Sequence, residues 1–293
     1  MRHLYVCNTT CDSIDKINIE SFTVENTIPL TGVNRGRIGP HGLWIHDKLL
    51  FTSNCYDDSI SIVSLENGMV ETLYLGSNCR DICVLGNHAY IICGDSNNIV
   101  SFDITRREIV ELIPCGNSPH SIDCCSKNNE IVVANINSDS ITLFDALYGS
   151  NIYSIDVGPY PTKAIITLDG NYILVCESNM GYGGRGSVSM ISTKTRKVIH
   201  RVPVGSCPFD MCCDEKYCYV TNYGEGTISV IDIYNHEEIK RIRIGGMPRG
   251  ILSDNKHIFV GDSYNNLLVK IDKNTENKKI IPINGEPTGM ILG

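Results

Sequence analysis

No stretch of this sequence approaches the roughly 18 consecutive apolar residues that a membrane helix needs, so no helix of it is expected to span a bilayer. The first residues, Met1 to Cys7, form a short alternating segment that turns polar at Asn8. They carry neither the apolar core nor the small-residue cleavage site of a secretory signal, and cytoplasmic residence is the expectation. Positive charge is also in short supply. Twenty-five Lys and Arg stand against 33 Asp and Glu, a net charge of −8, which argues against nucleic acid as the main partner. No dinucleotide fingerprint, nucleophile elbow, kinase loop or metalloprotease motif occurs in a supportive context, and no Cys-x-x-Cys-His run marks a haem attachment site. A disulfide framework is missing as well. The 14 cysteines are scattered, and two pairs, Cys124–Cys125 and Cys212–Cys213, are adjacent in sequence, which suits reduced and mostly buried thiols.

What the sequence does have is 42% hydrophobic residues, 26 glycines and a repeat. A Gly-x-x-Pro run followed by a short apolar strand recurs along the chain. The anchors fall at Pro40, Pro119, Pro161, Pro208, Pro248 and Pro287, with Cys79 in place of a proline, so the spacings are 39, 40, 42, 47, 40 and 39 residues. After each anchor strand comes a second strand, such as Tyr172–Cys176 or Tyr217–Asn222. A polar turn leads to a third, alternating strand such as Ser59–Val63 or Thr227–Ile231, and a more polar fourth segment returns to the next glycine. Four short strands in a period of about 40 residues predict an all-β fold: a seven-bladed β-propeller of four antiparallel strands per blade, forming a single domain over residues 1–293. Residues 3 to about 30 hold three strands of one blade, and Pro287 to Ile291 holds its innermost strand, so both termini close that blade.

Tyr219-Val-Thr-Asn222, followed by Gly224, Gly226 and Thr227-Ile-Ser-Val-Ile-Asp232, resembles the repeat of the YVTN family of β-propellers, which includes the YncE-like proteins; weaker copies run from residue 3 to 291. The resemblance implies the propeller fold. It leaves function open, since the family includes surface-layer and periplasmic proteins and one reported to associate with DNA. More distant propellers hold haem or copper in reductases or act on lactones.

In a propeller, the turn before the innermost strand and the turn between the second and third strands emerge on one face, and both long insertions of this chain lie there: Thr31–Gly39 and Glu177–Gly186. Residues just after the anchors should approach the central channel. Among them are His41, Arg80, His120, Lys163, Asp210 and Arg249, and Arg35, Arg37 and Arg185 can reach the same mouth from the insertions. This concentration of basic groups in an acidic protein predicts a non-enzymatic site for an anionic small molecule or a protein partner. The alternative is a lactonase-like hydrolase or lyase built around His41 and His120, in which His120 with Asp81 or Asp210 comes nearest to an acid–base pair. Histidines are too dispersed to predict a metal, and no cofactor is expected. Cys7, Cys93 and Cys176 read as equivalent second-strand positions that fill gaps between blades.

Overall fold

The computed structural model describes residues 2–33, 36–146, 151–181 and 183–293. Among them, seven four-stranded antiparallel sheets are arranged as blades around a central channel. Numbered in chain order, blades I to VII have as innermost strands Pro287–Leu292, Pro40–His46, Cys79–Leu85, Pro119–Cys125, Pro161–Ile166, Pro208–Cys213 and Pro248–Ser253. No helix among the described residues is long and apolar enough to cross a membrane.

The burial pattern follows strand position. Second strands such as Tyr217–Asn222 are buried on both faces, because each blade packs between two neighbours. Outermost strands such as Glu108–Pro114 are almost wholly exposed, which is why the fourth segment of each repeat is polar. The apolar side chains form seven clusters, one at each blade junction. At the junction of blades II and III, Phe51 and Ile62 meet Ile82, Ile91 and Phe102. At the junction of VII and I, Phe259 and Leu268 meet Leu4, Ile17 and Phe22.

Hydrogen bonding explains the Gly-x-x-Pro repeat. Asn222 ends the second strand of blade VI, fully buried and directly opposite Pro208. Its Nδ2 donates to Thr227 Oγ1 (3.0 Å) and Ser229 Oγ (2.8 Å), and its Oδ1 accepts from the Gly205 amide (3.0 Å). A Cβ on residue 205 would lie 2.5 Å from Asn222 Cγ, so only glycine lets the backbone approach that close. Glu177 takes the asparagine's place in blade V, accepting from the Gly158 amide at 2.7 Å. In blade III the anchor and its partner change together. Cys79 replaces proline, Cys93 replaces asparagine, and their sulfurs are 4.0 Å apart. Cys93 is thus not equivalent to Cys7 and Cys176. It lies one residue further along, at the position that ends the strand, while the other two precede that position.

Blade I closes as the sequence predicts. Its innermost strand pairs antiparallel with His3–Asn8, placing Leu4 opposite Leu292, Val6 opposite Met290 and Asn8 opposite Pro287. His3 and Gly293 exchange backbone hydrogen bonds of 2.8 and 2.9 Å.

Candidate functional site

Each innermost strand carries a register shift directly after its anchor. A bulge of this kind adds one residue to the strand and turns its side chains. The two residues after each anchor therefore form two stacked rings at the channel's loop-rich end.

The upper ring contains His41, Arg80, His120, Thr162, Phe209, Arg249 and Thr288. His41 Nδ1 lies 3.0 Å from the Arg80 carbonyl, and His120 Nδ1 lies 2.6 Å from the Thr162 carbonyl. A carbonyl only accepts, so both rings carry their proton on Nδ1 and leave Nε2 as an acceptor. Burial holds both imidazoles well below the ordinary imidazole value, and the Arg80 and Arg249 guanidiniums lower them further. Nη2 of Arg249 is 3.5 Å from His41 Nε2, and its guanidinium carbon lies 5.0 Å from the centre of the Phe209 ring. His120 meets the same ring edge-on at 5.5 Å.

The two arginines differ in charge balance. Arg249 is ion-paired with Glu286. Arg80 has no ion pair among the described residues, although the buried Nε of both arginines has no hydrogen-bond partner there. Burial, then the neighbouring Arg249 charge, lowers its pKa from the ordinary guanidinium value.

The second ring contains Gly42, Asp81, Ser121, Lys163, Asp210, Gly250 and Gly289. Its polar members tie each blade to the next. Asp81 accepts from the Ile122 amide (3.2 Å), Ser121 from the Ala164 amide (3.0 Å) and Asp210 from the Ile251 amide (3.2 Å). Lys163 Nζ reaches Asp81 at 3.2 Å and Asp210 at 3.9 Å, bridging blades V and III. Burial opposes its charge, but these carboxylates prevail and hold its pKa above the usual lysine value. Burial raises Asp210, and it raises Asp123, one layer lower, to about 6. At the other three junctions the ring is glycine. A Cβ on Gly250 would lie 1.9 Å from the Thr288 carbonyl oxygen, and one on Gly289 would lie 2.1 Å from that of His41.

Two cavities meet here. One of about 410 Å³ runs down the channel from His41 and Arg249 to Leu168 and Ile291. The other, about 280 Å³, opens on the loop face around Arg80, Asn78, Asp95 and Tyr160. His120, Phe209 and Arg249 border both.

Of the residues singled out in the sequence, His41, Arg80, His120, Lys163, Asp210 and Arg249 therefore come together at these cavities. Arg37 does not line either cavity; it is exposed, ion-pairs with Asp12 at 3.4 Å and donates to the Thr10 carbonyl. Arg185 is exposed and also outside both linings. Arg35 lies outside the described residues. The pairing of His120 with Asp81 or Asp210 does not form, because Thr162 holds the imidazole while backbone amides and Lys163 engage the carboxylates. Sequence reading missed Glu286, which neutralises Arg249, and Trp44, the only tryptophan, which lines the channel. Glu286 stands one residue before an anchor, which is the signal that could have found it. Trp44 gave none.

Fold and geometry thus define a seven-bladed propeller with a loop-rich face and an open channel mouth. No family model matches the chain, and no curated protein matches its sequence. Among solved structures it is similar to the hydrazine synthase of Kuenenia stuttgartiensis, with a TM-score of 0.75 and 17% identity over 96% of this chain and 92% of that one. A functionally unknown protein from Desulfotomaculum acetoxidans DSM 771 gives a TM-score of 0.82 at 13% identity, covering 99% and 98%. The dihydro-heme d1 dehydrogenase NirN, in complex with DHE, gives 0.65 at 15% identity, covering 99% and 74%. At these identities the likeness is one of fold.

Proposed function

We propose that the channel mouth takes up a small anionic molecule and performs acid–base chemistry on it, as a lactonase-like hydrolase or a lyase. One observation carries the reading: two neutral imidazoles are fixed in the same tautomer with Nε2 unprotonated, and the Nε2 of His120 has no partner among the described residues, beside a guanidinium that has no carboxylate partner. In a hydrolysis, Nε2 of His120 takes a proton from water as the water oxygen bonds to the substrate carbonyl carbon. Arg80 stabilises the oxyanion. The ring C–O bond then breaks, and the imidazolium returns the proton to the departing alkoxide. A bound anion also favours the imidazolium, offsetting the two arginines that otherwise disfavour it. Two of the structural neighbours are enzymes by name, so this fold supports catalysis elsewhere.

Binding without turnover is the second reading, favoured by Asp81 and Asp210 being engaged by backbone amides and Lys163 instead of by the imidazoles. We also propose membership of the YVTN-repeat propellers, from the Tyr219–Asn222 motif, and a cytoplasmic location, which suits the many buried thiols.

Calorimetric titration with acetate, sulfate and phosphate, together with a lactone-hydrolysis screen, tests the reading. Wild-type protein should bind at least one of these anions, and Arg80→Met should abolish that binding. His120→Gln should lower lactone turnover by about 10²- to 10⁴-fold while retaining anion binding. Absence of anion binding at millimolar concentrations refutes the site; anion binding without turnover leaves the second reading.

A further inference from the structure

We infer that the occupant of this channel is an amphiphilic monoanion: one acidic head at Arg80 and Arg249, and an unbranched or aromatic apolar body that descends against blades VII, I and II. The inference rests on the reading of the mouth as an anion site and goes on to name the ligand class.

Charge balance limits the head. Arg249 is matched by Glu286, and Lys163 is more than matched by Asp81 and Asp210, which leaves Arg80 as the one unmatched cation lining the mouth among the described residues. A singly charged carboxylate satisfies it, whereas a second negative charge would meet Asp95 at the rim or Asp81 and Asp210 below.

The route for the body follows from the asymmetry of the second ring. Blades III, IV, V and VI fill that layer with Asp81, Ser121, Lys163 and Asp210, and the lysine bridge crosses their side of the channel. Blades VII, I and II carry only Gly250, Gly289 and Gly42 there, packed against the Thr288 and His41 carbonyls and the Asp81 carboxylate of the neighbouring blades, so these three blades add no side chain of their own to the layer. Below the glycines the same three strands present Ile251 and Leu252, Met290 and Ile291, and Leu43 and Trp44 to the cavity. A polar ligand would gain nothing from that wall, while an apolar one buries against it. At about 30 Å³ per water-sized atom, 410 Å³ holds about fourteen non-hydrogen atoms.

The experiment is a calorimetric series of linear monocarboxylates from acetate to hexadecanoate below their micelle concentrations, with sulfate and 1-octanol as controls. Trp44 emission is followed in parallel. Affinity should rise about fourfold per methylene, as expected for burying about 0.8 kcal/mol of apolar surface each, and level off near dodecanoate. Long acids should shift the emission of Trp44, the sole tryptophan, and sulfate should leave it unchanged. If sulfate and acetate bind but chain length brings no gain and no Trp44 shift, the amphiphile is overturned and the anion site stands. If 1-octanol binds as tightly as octanoate, the acidic head is overturned. If no anion binds at all, the anion site itself falls.

Discussion

Deleting residues 287–293 removes the innermost strand of blade I while leaving the other six blades covalently intact. The cost can be worked from the structure. The strand pairs with His3–Asn8, and His3 and Gly293 exchange two further backbone hydrogen bonds at the end of the chain. Losing roughly five such bonds at about 1 kcal/mol each gives about 5 kcal/mol. Met290 and Leu292 pack on the cluster between blades VII and I, and Ile291 on that between I and II. Each is half-buried, so together they contribute about 3 kcal/mol more. A total of about 8 kcal/mol is comparable to the whole stability of an ordinary domain. The remaining strand His3–Asn8 would also become a new edge facing the channel, and blades VII and II would lose the strand that separates them. At about 2 °C per kcal/mol for a chain of this size, the midpoint of thermal unfolding should fall by about 15 °C or more. Circular dichroism melts with size-exclusion chromatography measure it, with Met290→Ala as a control costing only about 1 kcal/mol. A truncated protein that melts within about 3 °C of the full chain would refute the clasp.

Asn222→Ala should destabilise by about 2–4 kcal/mol, because two hydroxyls and the Gly205 amide lose their partner in a fully buried site. Asn54→Ala should cost less, since Asn54 donates to Ser59 and Ser61 but its Oδ1 accepts no bond among the described residues; urea titrations giving the reverse order would contradict the repeat's hydrogen-bond logic. Lowering pH through the ordinary imidazole value should reduce stability. The unfolded chain takes up protons at His41 and His120 there and the folded chain does not, so the double variant with both changed to Gln should show a shallower decline. Asp123 has the opposite sign: its folded pKa of about 6 lies above the unfolded value, so it favours the fold as pH falls through 6, and Asp123→Asn should stabilise the protein at pH 8, by an amount urea unfolding would measure.

The fold was legible because it is periodic. Spacing of Gly-x-x-Pro runs reports where the chain must approach a buried polar side chain closely, and that requirement recurs at Gly158 and Gly205 with the same geometry. Blade count, strand order and the shared blade follow from the spacing of the anchors, which holds even before Pro40 and Pro287, where Arg37 and Asn284 stand in place of the glycine. Identity and spacing alone also brought His41, Arg80, His120, Lys163, Asp210 and Arg249 near the channel. Blade III shows where the pattern misled. With Pro and Asn both replaced by Cys, the anchor was still found from its spacing, but Cys93 was placed one residue out of register.

Composition and periodicity by themselves determined the all-β ring, its closure and six of the polar side chains that line the channel, because those depend on backbone repeats that each segment carries locally. Only the tertiary structure decided what those side chains do. Whether an aspartate serves an imidazole or a neighbouring amide, and whether an arginine is matched or left unpaired, depends on contacts between residues about 40 to 80 positions apart. Lys163 reaches Asp81 across two blades, Arg249 is neutralised by Glu286, and the three glycines that let neighbouring blades close up on one side of the channel line up only when blade VII meets blades I and II. Such pairings are set by the closing of the ring, and no local pattern along the chain encodes them.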